Sequence, residues 1–382
     1  MIPDSGARRV AIVTDDAGRL ARIASPLIEA ILGRGHHVRV FAQRSADGST
    51  AAWLAGRGID TLPIGVDPET SNPLTDRAVL KLLTKALADY EAHALLALGD
   101  RAHLQAARAA SRARIARAVL LVDTLADLEL KHGDKPGWLS RYSLRTSLAG
   151  ASSILFSDNQ DRRDADLAGI IPPAVATAEL PGLGIDLAAN PVLPLPPTAP
   201  GLTFAMLAAL DRRNGIGAYL EAARIVRGEM PSASFVLAGA EGRGPSAFPL
   251  RHLEAFQAAV RYIPSPFDFA DVLGAAHVVV APLTYGGAPY ELLQGLAAGR
   301  PIITTATPGA RLAVDERING CLVPPSDPEA LAQAIRSFFA HPELLPFEAR
   351  ASRLKAERRF DVRGVIPQVL AALHLGTASG AT

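Results

Sequence analysis

Along this chain, short apolar runs rich in β-branched residues alternate with amphipathic segments long enough to form helices. Continuous apolar runs are typical of strands buried on both faces, and their alternation with helices is typical of βα units around a parallel sheet. The pattern therefore predicts an α/β fold. The predicted strands are residues 9–14, 37–42, 60–62, 94–98, 118–122, 153–156, 202–207, 234–238, 260–263, 277–281, 302–305 and 321–323. The predicted helices are residues 20–34, 76–92, 102–114, 139–148, 217–227, 267–274, 290–298, 328–340 and a final stretch, 344–375, broken near Phe360.

A proline-rich segment divides this alternating series into two halves. Residues 190–201, NPVLPLPPTAPG, contain five prolines and no apolar periodicity, which is typical of a semi-rigid connector. We therefore predict an N-terminal Rossmann-like domain over residues 1–189, a linker over 190–201 and a C-terminal Rossmann-like domain over 202–355. Residues 356–382 are expected to form a helix that crosses back to the N-terminal domain, followed by a tail.

Two doubly wound parallel sheets also predict where a ligand would bind. Ligands of open α/β sheets bind outside the carboxyl ends of the strands. With two such domains, we expect these edges to face each other across a central cleft. That cleft is the candidate site.

Composition argues against several other classes of protein. The chain has 39 Lys and Arg against 38 Asp and Glu, so it lacks the positive excess that favours nucleic acid. Its single cysteine, Cys321, lies at the edge of an apolar run and is expected to be a core residue rather than a nucleophile. The histidines are dispersed, which predicts no metal site. The first apolar run is too short for a signal peptide and no run approaches a membrane span, so we expect a cytoplasmic protein, with peripheral attachment at the inner face of the membrane left open.

One long stretch resembles a known family. Residues 289–335, PYELLQGLAAGRPIITTATPGARLAVDERINGCLVPPSDPEALAQAI, closely resemble the donor-binding half of retaining glycosyltransferases of family 4, in the branch that builds bacterial polysaccharides. Weaker similarity lies in RGHHVRVFA at 34–42, PGLGID at 181–186 and SRLKAERRFDV at 352–362. The resemblance implies a GT-B fold and sugar transfer from a nucleotide-diphosphate donor with retention of configuration. It also implies that no cofactor or metal is needed.

The charged donor-site positions of that family are substituted in this chain. An ungapped alignment places Gly286 and Gln294 where the family has two glutamates, and Ala209 and Asn214 where it has an arginine and a lysine that neutralise the donor diphosphate. A further glutamate expected beside Arg311 is replaced by Leu312, which lies outside the set of four. No catalytic residue is therefore assigned.

Nearby residues offer replacements on the donor side. Arg212 and Arg213 lie in the loop before Asn214, and Glu291 lies one helical turn before Gln294. Equally, the arginines are ordinary solvated charges, and Glu291 favours the start of a helix through the helix dipole. The remaining donor-side candidates are Ile263, Tyr285, Gly286 and Gly287, the glycines allowing either close approach to a diphosphate or a simple turn.

On the acceptor side, the candidates follow strands of the N-terminal domain. Asp16, Gly18 and Arg19, with Asp15, come after the first strand, and Asp123 comes after the strand 118–122. The aspartates are also suited to cap the next helix. Basic residues of the same domain either meet an anionic membrane that carries a lipid-linked acceptor or form a solvated face. These are the helix at 101–117 and the residues Lys131, His132, Lys135, Arg141 and Arg145.

The sequence thus supports two hypotheses. The first is a family 4-like glycosyltransferase of surface polysaccharide or glycan biosynthesis, with a nucleotide sugar as donor and a lipid-linked or glycan acceptor. The second is a pseudoglycosyltransferase that keeps the fold but acts as scaffold or regulator of a partner glycosyltransferase. The substituted charges favour the second hypothesis, and the rest of the sequence does not separate the two.

Overall fold

A computed structural model of the chain describes residues 6–44, 48–64, 73–99, 102–128, 130, 135–242, 245–264, 269–284 and 289–376. The chain forms two compact units. The first unit comprises Met1–Gly184 and Val362–Thr382, and the second comprises Ile185–Asp361.

Each unit is built on one parallel sheet. The strands of the first unit are β1 (Arg9–Asp16), β2 (His37–Arg44), β3 (Thr61–Pro63), β4 (Ala94–Leu98), β5 (Arg117–Val122), β6 (Ser153–Phe156) and β7 (Ala176–Glu179). The strands of the second unit are β8 (Thr203–Leu207), β9 (Ser234–Gly239), β10 (Val260–Pro264), β11 (Val278–Ala281), β12 (Ile302–Thr305) and β13 (Gly320–Val323). Their orders are β3-β2-β1-β4-β5-β6-β7 and β10-β9-β8-β11-β12-β13. In both sheets the order reverses beside the first strand of the unit, between β1 and β4 and between β8 and β11.

Helices connect the strands. Those that precede the second unit are α1 (Leu20–Ile23), α2 (Ser25–Leu32), α3 (Gly48–Ala55), α4 (Pro73–Asp89), α5 (Ala102–Arg112), α6 (Trp138–Leu148) and α7 (Asn159–Leu167). The second unit contains α8 (Ile216–Glu229), α9 (Ala270–Ala275), α10 (Tyr290–Ala297), α11 (Pro328–Ala340) and α12 (Leu345–Lys355), and α13 (Val362–Ala372) follows it.

Both faces of each sheet are covered, as the apolar strands predicted. In β1, Ala11 and Val13 belong to one hydrophobic cluster, whereas Val10 and Ile12 belong to another. Side chains alternate between the two faces of a strand, so the two clusters lie on opposite sides of the sheet. The strand β8 shows the same division. The prediction of two doubly wound α/β domains is confirmed.

The chain passes between the units after Gly184 and again after Asp361, and the second point lies close to a boundary expected from the sequence, at residue 356. The proline-rich segment predicted as the linker belongs to the second unit, where the buried Arg300 donates hydrogen bonds to the carbonyls of Leu193 (2.9 Å) and Pro194 (2.7 Å). The first unit instead ends at Gly184. Its last helix, α13, contributes Val365 and Val369 to the same cluster as α2.

Some elements differ from the prediction. The strand β7 and the helices α3 and α7 were not predicted. The single helix expected at 20–34 is two helices interrupted at Ala24, where the backbone leaves the helical region (φ −120°, ψ 0°). The cause is Pro26, which lacks an amide hydrogen and is suited to the first turn of a helix but not to its interior.

Candidate functional site

The loop after β8 is organised around one buried carboxylate. Asp211 accepts hydrogen bonds from the backbone amide of Arg213 (2.8 Å) and from Ser246 Oγ (2.7 Å). The guanidinium of Arg213 pairs with the same carboxylate, with Nε at 3.0 and 3.1 Å from the two oxygens and Nη2 at 2.8 Å from Oδ2. Burial alone would raise the pKa of Asp211, but the hydrogen bonds from Arg213 and Ser246 outweigh it and hold the pKa below its ordinary value. Asp211 therefore stays ionised and fixes the direction of the Arg213 side chain.

A second loop, after β11, is locked to the first. The amide and the hydroxyl of Thr284 both donate to the Arg213 carbonyl, at 2.9 and 3.0 Å. Gly215 has a positive φ of 77°, and a Cβ atom there would lie 1.8 Å from the Pro282 carbonyl oxygen. Only glycine allows this approach. Because β8 and β11 flank the point where the strand order reverses, the locked loops border the place where α/β sheets bind their ligands.

The structure separates the two predicted arginines. Arg213 is held at the loop junction, and its side chain is 46% exposed. Arg212 lies beside Phe248 instead, with its guanidinium carbon 5.8 Å from the ring centroid. Asn214, at the family's lysine position, donates from Nδ2 to the Ala209 carbonyl at 2.9 Å and so closes its own loop. Ala209 itself is exposed.

The helix α10 carries the next group of candidates. Its first residue follows Pro289, which offers no side-chain cap. Gln294 Nε2 lies 3.4 Å from Asn190 Oδ1, while its Oε1 is buried and has no hydrogen-bond partner among the described residues. Glu291 is partly buried in the first turn of α10. Tyr285, Gly286 and Gly287 lie outside the described residues.

Two further donor-side positions are apolar and packed. Ile263, near the end of β10, and Leu312, in a 3-10 turn after β12, both pack against the hydrophobic cluster on the α10 side of the sheet. Leu312 therefore stands as a core contact where a charge was expected. Ile263 offers an apolar surface at the carboxyl edge of the sheet.

In the first unit, most acceptor-side candidates support local structure. Asp16 caps a 3-10 turn by accepting from the Gly18 amide at 2.8 Å, and the Gly18 carbonyl accepts from Thr50 Oγ1 at 2.9 Å. The capping role weighed for Asp16 is confirmed. Arg19 is exposed, and the exposed Asp123 accepts from Ser157 Oγ at 2.7 Å.

Asp15 is buried at the reversal point of the first sheet. Gly99, just after β4, has a φ of 106°, and a Cβ atom there would lie 2.8 Å from Asp15 Oδ2. The structure thus brings Asp15 and the end of β4 together beside the first strand. Asp123 follows β5, which is one strand further along the sheet.

The basic residues of the first unit divide into two sets. The alanines of α5 are buried in the core, and Arg108 Nε donates to Ser147 Oγ at 2.7 Å, so most of this helix is internal. Lys135, Arg141 and Arg145 are exposed at and before α6. Arg101, Lys131 and His132 lie outside the described residues.

Other chemistries find little support. Burial raises the pKa of the Cys321 thiol to about 12, so it remains protonated and unreactive. In the described part of the chain, no group of three or more His, Cys, Asp or Glu side chains is arranged to hold a metal ion. None of the helices in the described ranges is both long and apolar enough to cross a bilayer.

Comparison with known proteins agrees with this architecture. Residues 201–341, all in the second unit, match the family model for glycosyl transferases group 1. Anabaena HepE, solved in complex with UDP and glucose, superposes with a TM-score of 0.72 at 17% identity over 96% of this chain and 99% of that one. The chain has a GT-B fold, and its second unit is similar to glycosyl transferases group 1. The predicted fold class is confirmed, and so is the resemblance to glycosyltransferases at this level.

Two curated relatives share shorter segments. The D-inositol 3-phosphate glycosyltransferase of Saccharomonospora viridis is 32% identical over 91 residues, which is 24% of this chain and 21% of that protein. The putative colanic acid biosynthesis glycosyltransferase WcaL of Escherichia coli K12 is 28% identical over 204 residues, 50% of this chain and 49% of that protein. The matched segments therefore span about half or less of these relatives.

Several residues of this site were not predicted. The sequence does contain an indication of the role of Asp211, because aspartate is a common capping residue just before a helical turn. Nothing in the sequence indicates the contacts of Ser246, Thr284 and Asn190, since each reaches its partner from a distant part of the chain.

Proposed function

We propose that this GT-B protein is a family 4-like glycosyltransferase of surface polysaccharide or glycan biosynthesis. It binds a nucleotide-diphosphate sugar in the second unit and transfers the sugar with retention of configuration. The similarity to glycosyl transferases group 1 supports this proposal, as do the matched relative named for colanic acid biosynthesis and the GT-B structure that contains UDP and glucose.

The observation that carries the proposal is the position of Arg213. Its guanidinium is fixed beside the strand-order reversal by Asp211, and its backbone is fixed by Thr284. A guanidinium carries five N–H donors, so pairing with Asp211 does not exclude a contact with phosphate. Arg213 would then stabilise the diphosphate leaving group, the role that the family's arginine and lysine play elsewhere.

The pairing also has a cost. Asp211 cancels much of the charge of Arg213 in the field that a phosphate would experience, and Ala209 and Asn214 supply no charge. Donor binding is therefore expected to be weak. Ile263, Glu291 and Gln294 are proposed to contact the nucleoside or sugar, and Asp16, Gly18, Arg19 and Asp123 to contact a lipid-linked or glycan acceptor.

A second candidate function is a pseudoglycosyltransferase that scaffolds or regulates a partner enzyme. The observation that favours it is that two of the four neutral replacements, Asn214 and Gln294, donate to groups of the protein itself. Asn214 bonds to the Ala209 carbonyl, and the Gln294 amide lies beside Asn190. A site so adapted to its own loops would need no donor.

Nucleotide release separates the two functions. Purified protein is incubated with UDP-glucose, UDP-galactose, UDP-N-acetylglucosamine and GDP-mannose, and free UDP or GDP is measured. The transferase proposal predicts slow release with one donor, with water taking the sugar in place of the acceptor, and, by NMR, a first free-sugar product that keeps the donor's anomeric configuration. Restoring Gly286→Glu, Gln294→Glu, Ala209→Arg and Asn214→Lys together is expected to raise release at least about tenfold, since a single preorganised donor to developing negative charge is worth about a hundredfold or more.

The control carries uncharged side chains of similar length, Gly286→Gln, Ala209→Met and Asn214→Met, with Gln294 kept. This control distinguishes an effect of the restored charges from an effect of the larger side chains. If the wild type and the charged variant both fold but neither releases nucleotide from any donor, the transferase proposal is contradicted and the scaffold function remains.

A further inference from the structure

A cavity lies at the outer edge of the second sheet. Between β9 and β10 the chain forms two 3-10 turns, Leu250–His252 and Glu254–Phe256, instead of an α-helix. A 3-10 turn is narrower than an α-helix, so the two turns cover the space between α8 and β10 incompletely. A cavity of about 230 Å³ remains there, which we call the α8 cavity. Most of its lining is apolar and consists of Leu220, Leu250, Leu253, Phe256, Val260 and the ring of Tyr262.

The α8 cavity is separate from the candidate donor site. Tyr262 packs against the hydrophobic cluster that includes α8, whereas the next residue, Ile263, packs against the cluster on the α10 side. Side chains alternate between the two faces of a strand, so the cavity and α10 lie on opposite sides of the sheet. None of the donor-side candidates in the described ranges lines the cavity.

The outer wall of the α8 cavity is anchored by hydrogen bonds. Just before the wall begins, Ser246 Oγ donates to the Asp211 carboxylate at 2.7 Å. Within the wall, the amide of Leu253 donates to the carbonyl of Leu250 at 2.8 Å and so closes the first 3-10 turn. The cavity is therefore formed without a ligand, which lowers the ordering cost of binding one.

One carboxylate stands at the rim of the α8 cavity. Glu254 lines the cavity and is exposed, and it forms no ion pair with any residue that the structure describes. The other polar groups of the lining are uncharged, since Gln257 is an amide and the Tyr262 hydroxyl donates to the Gly239 carbonyl at 3.0 Å. A ligand with an apolar body and one cationic end would bury the body in the cavity and place the cation beside Glu254.

The volume of the α8 cavity sets the size of that ligand. An apolar cavity of about 150 Å³ holds one benzene molecule, so about 230 Å³ suits a ring with a short chain, roughly nine non-hydrogen atoms in all. We propose that the α8 cavity binds a small aryl-alkyl amine, with the ring against Leu253 and Phe256 and the ammonium group beside Glu254.

The proposal goes beyond the donor chemistry, and its test measures binding without any nucleotide. The probes are phenethylamine and 2-phenylethanol, which share ring and chain length but end in an ammonium and a hydroxyl group. Saturation-transfer NMR titrations of the full chain at pH 7 give both affinities. We expect a Kd of about 1 mM for phenethylamine, as suits a ligand of its size. Binding of 2-phenylethanol should be about three- to fivefold weaker, the effect of one exposed ion pair.

Two variants locate the site. Leu253→Trp places a larger ring in the cavity and should weaken binding of both probes at least about fivefold, because a packed interior has no room for two rings. Its matched control is Leu167→Trp on α7 of the first unit, where the leucine is 86% exposed. Glu254→Gln should make the two affinities equal, whereas Asp89→Asn, which removes an exposed carboxylate of the first unit, should leave the preference for the amine unchanged.

Four results would overturn the proposal. These are no saturation transfer to phenethylamine at about 10 mM, ten times the expected Kd, equal affinity of the wild type for the two probes, undiminished binding by a folded Leu253→Trp, and an equal loss of preference in Glu254→Gln and Asp89→Asn. Circular dichroism of each variant establishes its fold. Should Leu253→Trp fail to fold, the titrations of Glu254→Gln against Asp89→Asn decide the proposal.

Discussion

The two sheets reverse their strand order in the same way, but the two reversal points are built differently. In the first unit, Gly99 lies against the carboxylate of Asp15, a side chain that can rotate away. In the second unit, Gly215 lies against the backbone carbonyl of Pro282, which cannot move without moving β11. The second unit therefore has a junction fixed by backbone atoms, whereas the first has a junction in which a side chain can adjust.

This difference fits the proposed roles of the two units, donor binding in the second and acceptor binding in the first. A site that stabilises developing charge on a diphosphate works best when its groups are fixed in advance. A site that admits a varied acceptor works best when it can adapt. Substitutions at the two junctions and at the contacts beside them test this contrast.

Gly215→Ala should be the most damaging change. A Cβ atom would overlap the Pro282 carbonyl and require an L residue at positive φ, so we expect a loss of roughly 3–5 kcal/mol in the free energy of unfolding of the second unit. Chemical denaturation measures this loss. The matched control is Gly217→Ala, two residues later in α8. An added Cβ there would have no atom within 4 Å apart from its own helix backbone, so a gain of about 0.5–1 kcal/mol in the free energy of unfolding is expected.

Gly99→Ala should cost less, about 2 kcal/mol, since the strained φ remains but the Asp15 side chain can rotate. Adding Asp15→Ala should recover the part due to the contact and leave the part due to strain. Denaturation of both variants checks this. A loss as large as that of Gly215→Ala, with no recovery, would show that the first junction is as rigid as the second.

Asp211→Asn tests the ion pair that orients Arg213. We expect a loss of about 1 kcal/mol at neutral pH, a modest value because the Arg213 side chain is nearly half exposed and its attraction is screened. The pKa of Asp211 is lowered in the folded state, so its contribution is present above the ordinary carboxyl pKa and is lost as the pH falls through the folded pKa. Denaturation as a function of pH should therefore show the two proteins converging in acid. A constant difference at every pH would contradict the ionic account.

Ser157→Ala should have the smallest effect. It removes one hydrogen bond to Asp123, an exposed carboxylate that water can solvate, so a loss of about 0.5–1 kcal/mol is expected. Thermal unfolding measures it. A loss of stability larger than that of Asp211→Asn would contradict the proposed contrast between the junctions of the two units.

The sequence predicted the architecture well because buried parallel strands have a distinctive composition. Apolar runs such as β4 and β11 needed no knowledge of their neighbours. The strand β7, which was not predicted, has the sequence ATAE and is mostly exposed, so it lacks the apolar run that identifies a buried strand. It forms because its backbone pairs with β6. The boundary between the units was displaced for a related reason. The proline-rich segment looked like a free connector, yet the buried Arg300 binds its carbonyls, and nothing local to the segment indicates that contact.

The candidate site was less predictable than the fold. Its positions followed from the resemblance, and Arg213 was identified among the replacements. Its pairing with Asp211 and its link to Thr284 join different parts of the chain, and the direction in which a side chain turns depends on partners that sequence spacing does not reveal. Arg212 and Arg213 are adjacent in one loop, yet their guanidinium groups lie in different environments.

The most direct test of the account is a calorimetric titration of UDP and GDP into the wild type, Arg213→Ala and Arg212→Ala. The two variants remove the same charge from neighbouring positions, and only Arg213→Ala also removes the cation paired with Asp211. We predict weak binding of one nucleotide, with a Kd of about 0.1–1 mM, weakened at least about tenfold by Arg213→Ala and less than about twofold by Arg212→Ala. Absence of binding by either nucleotide, or equal losses in the two variants, would contradict it.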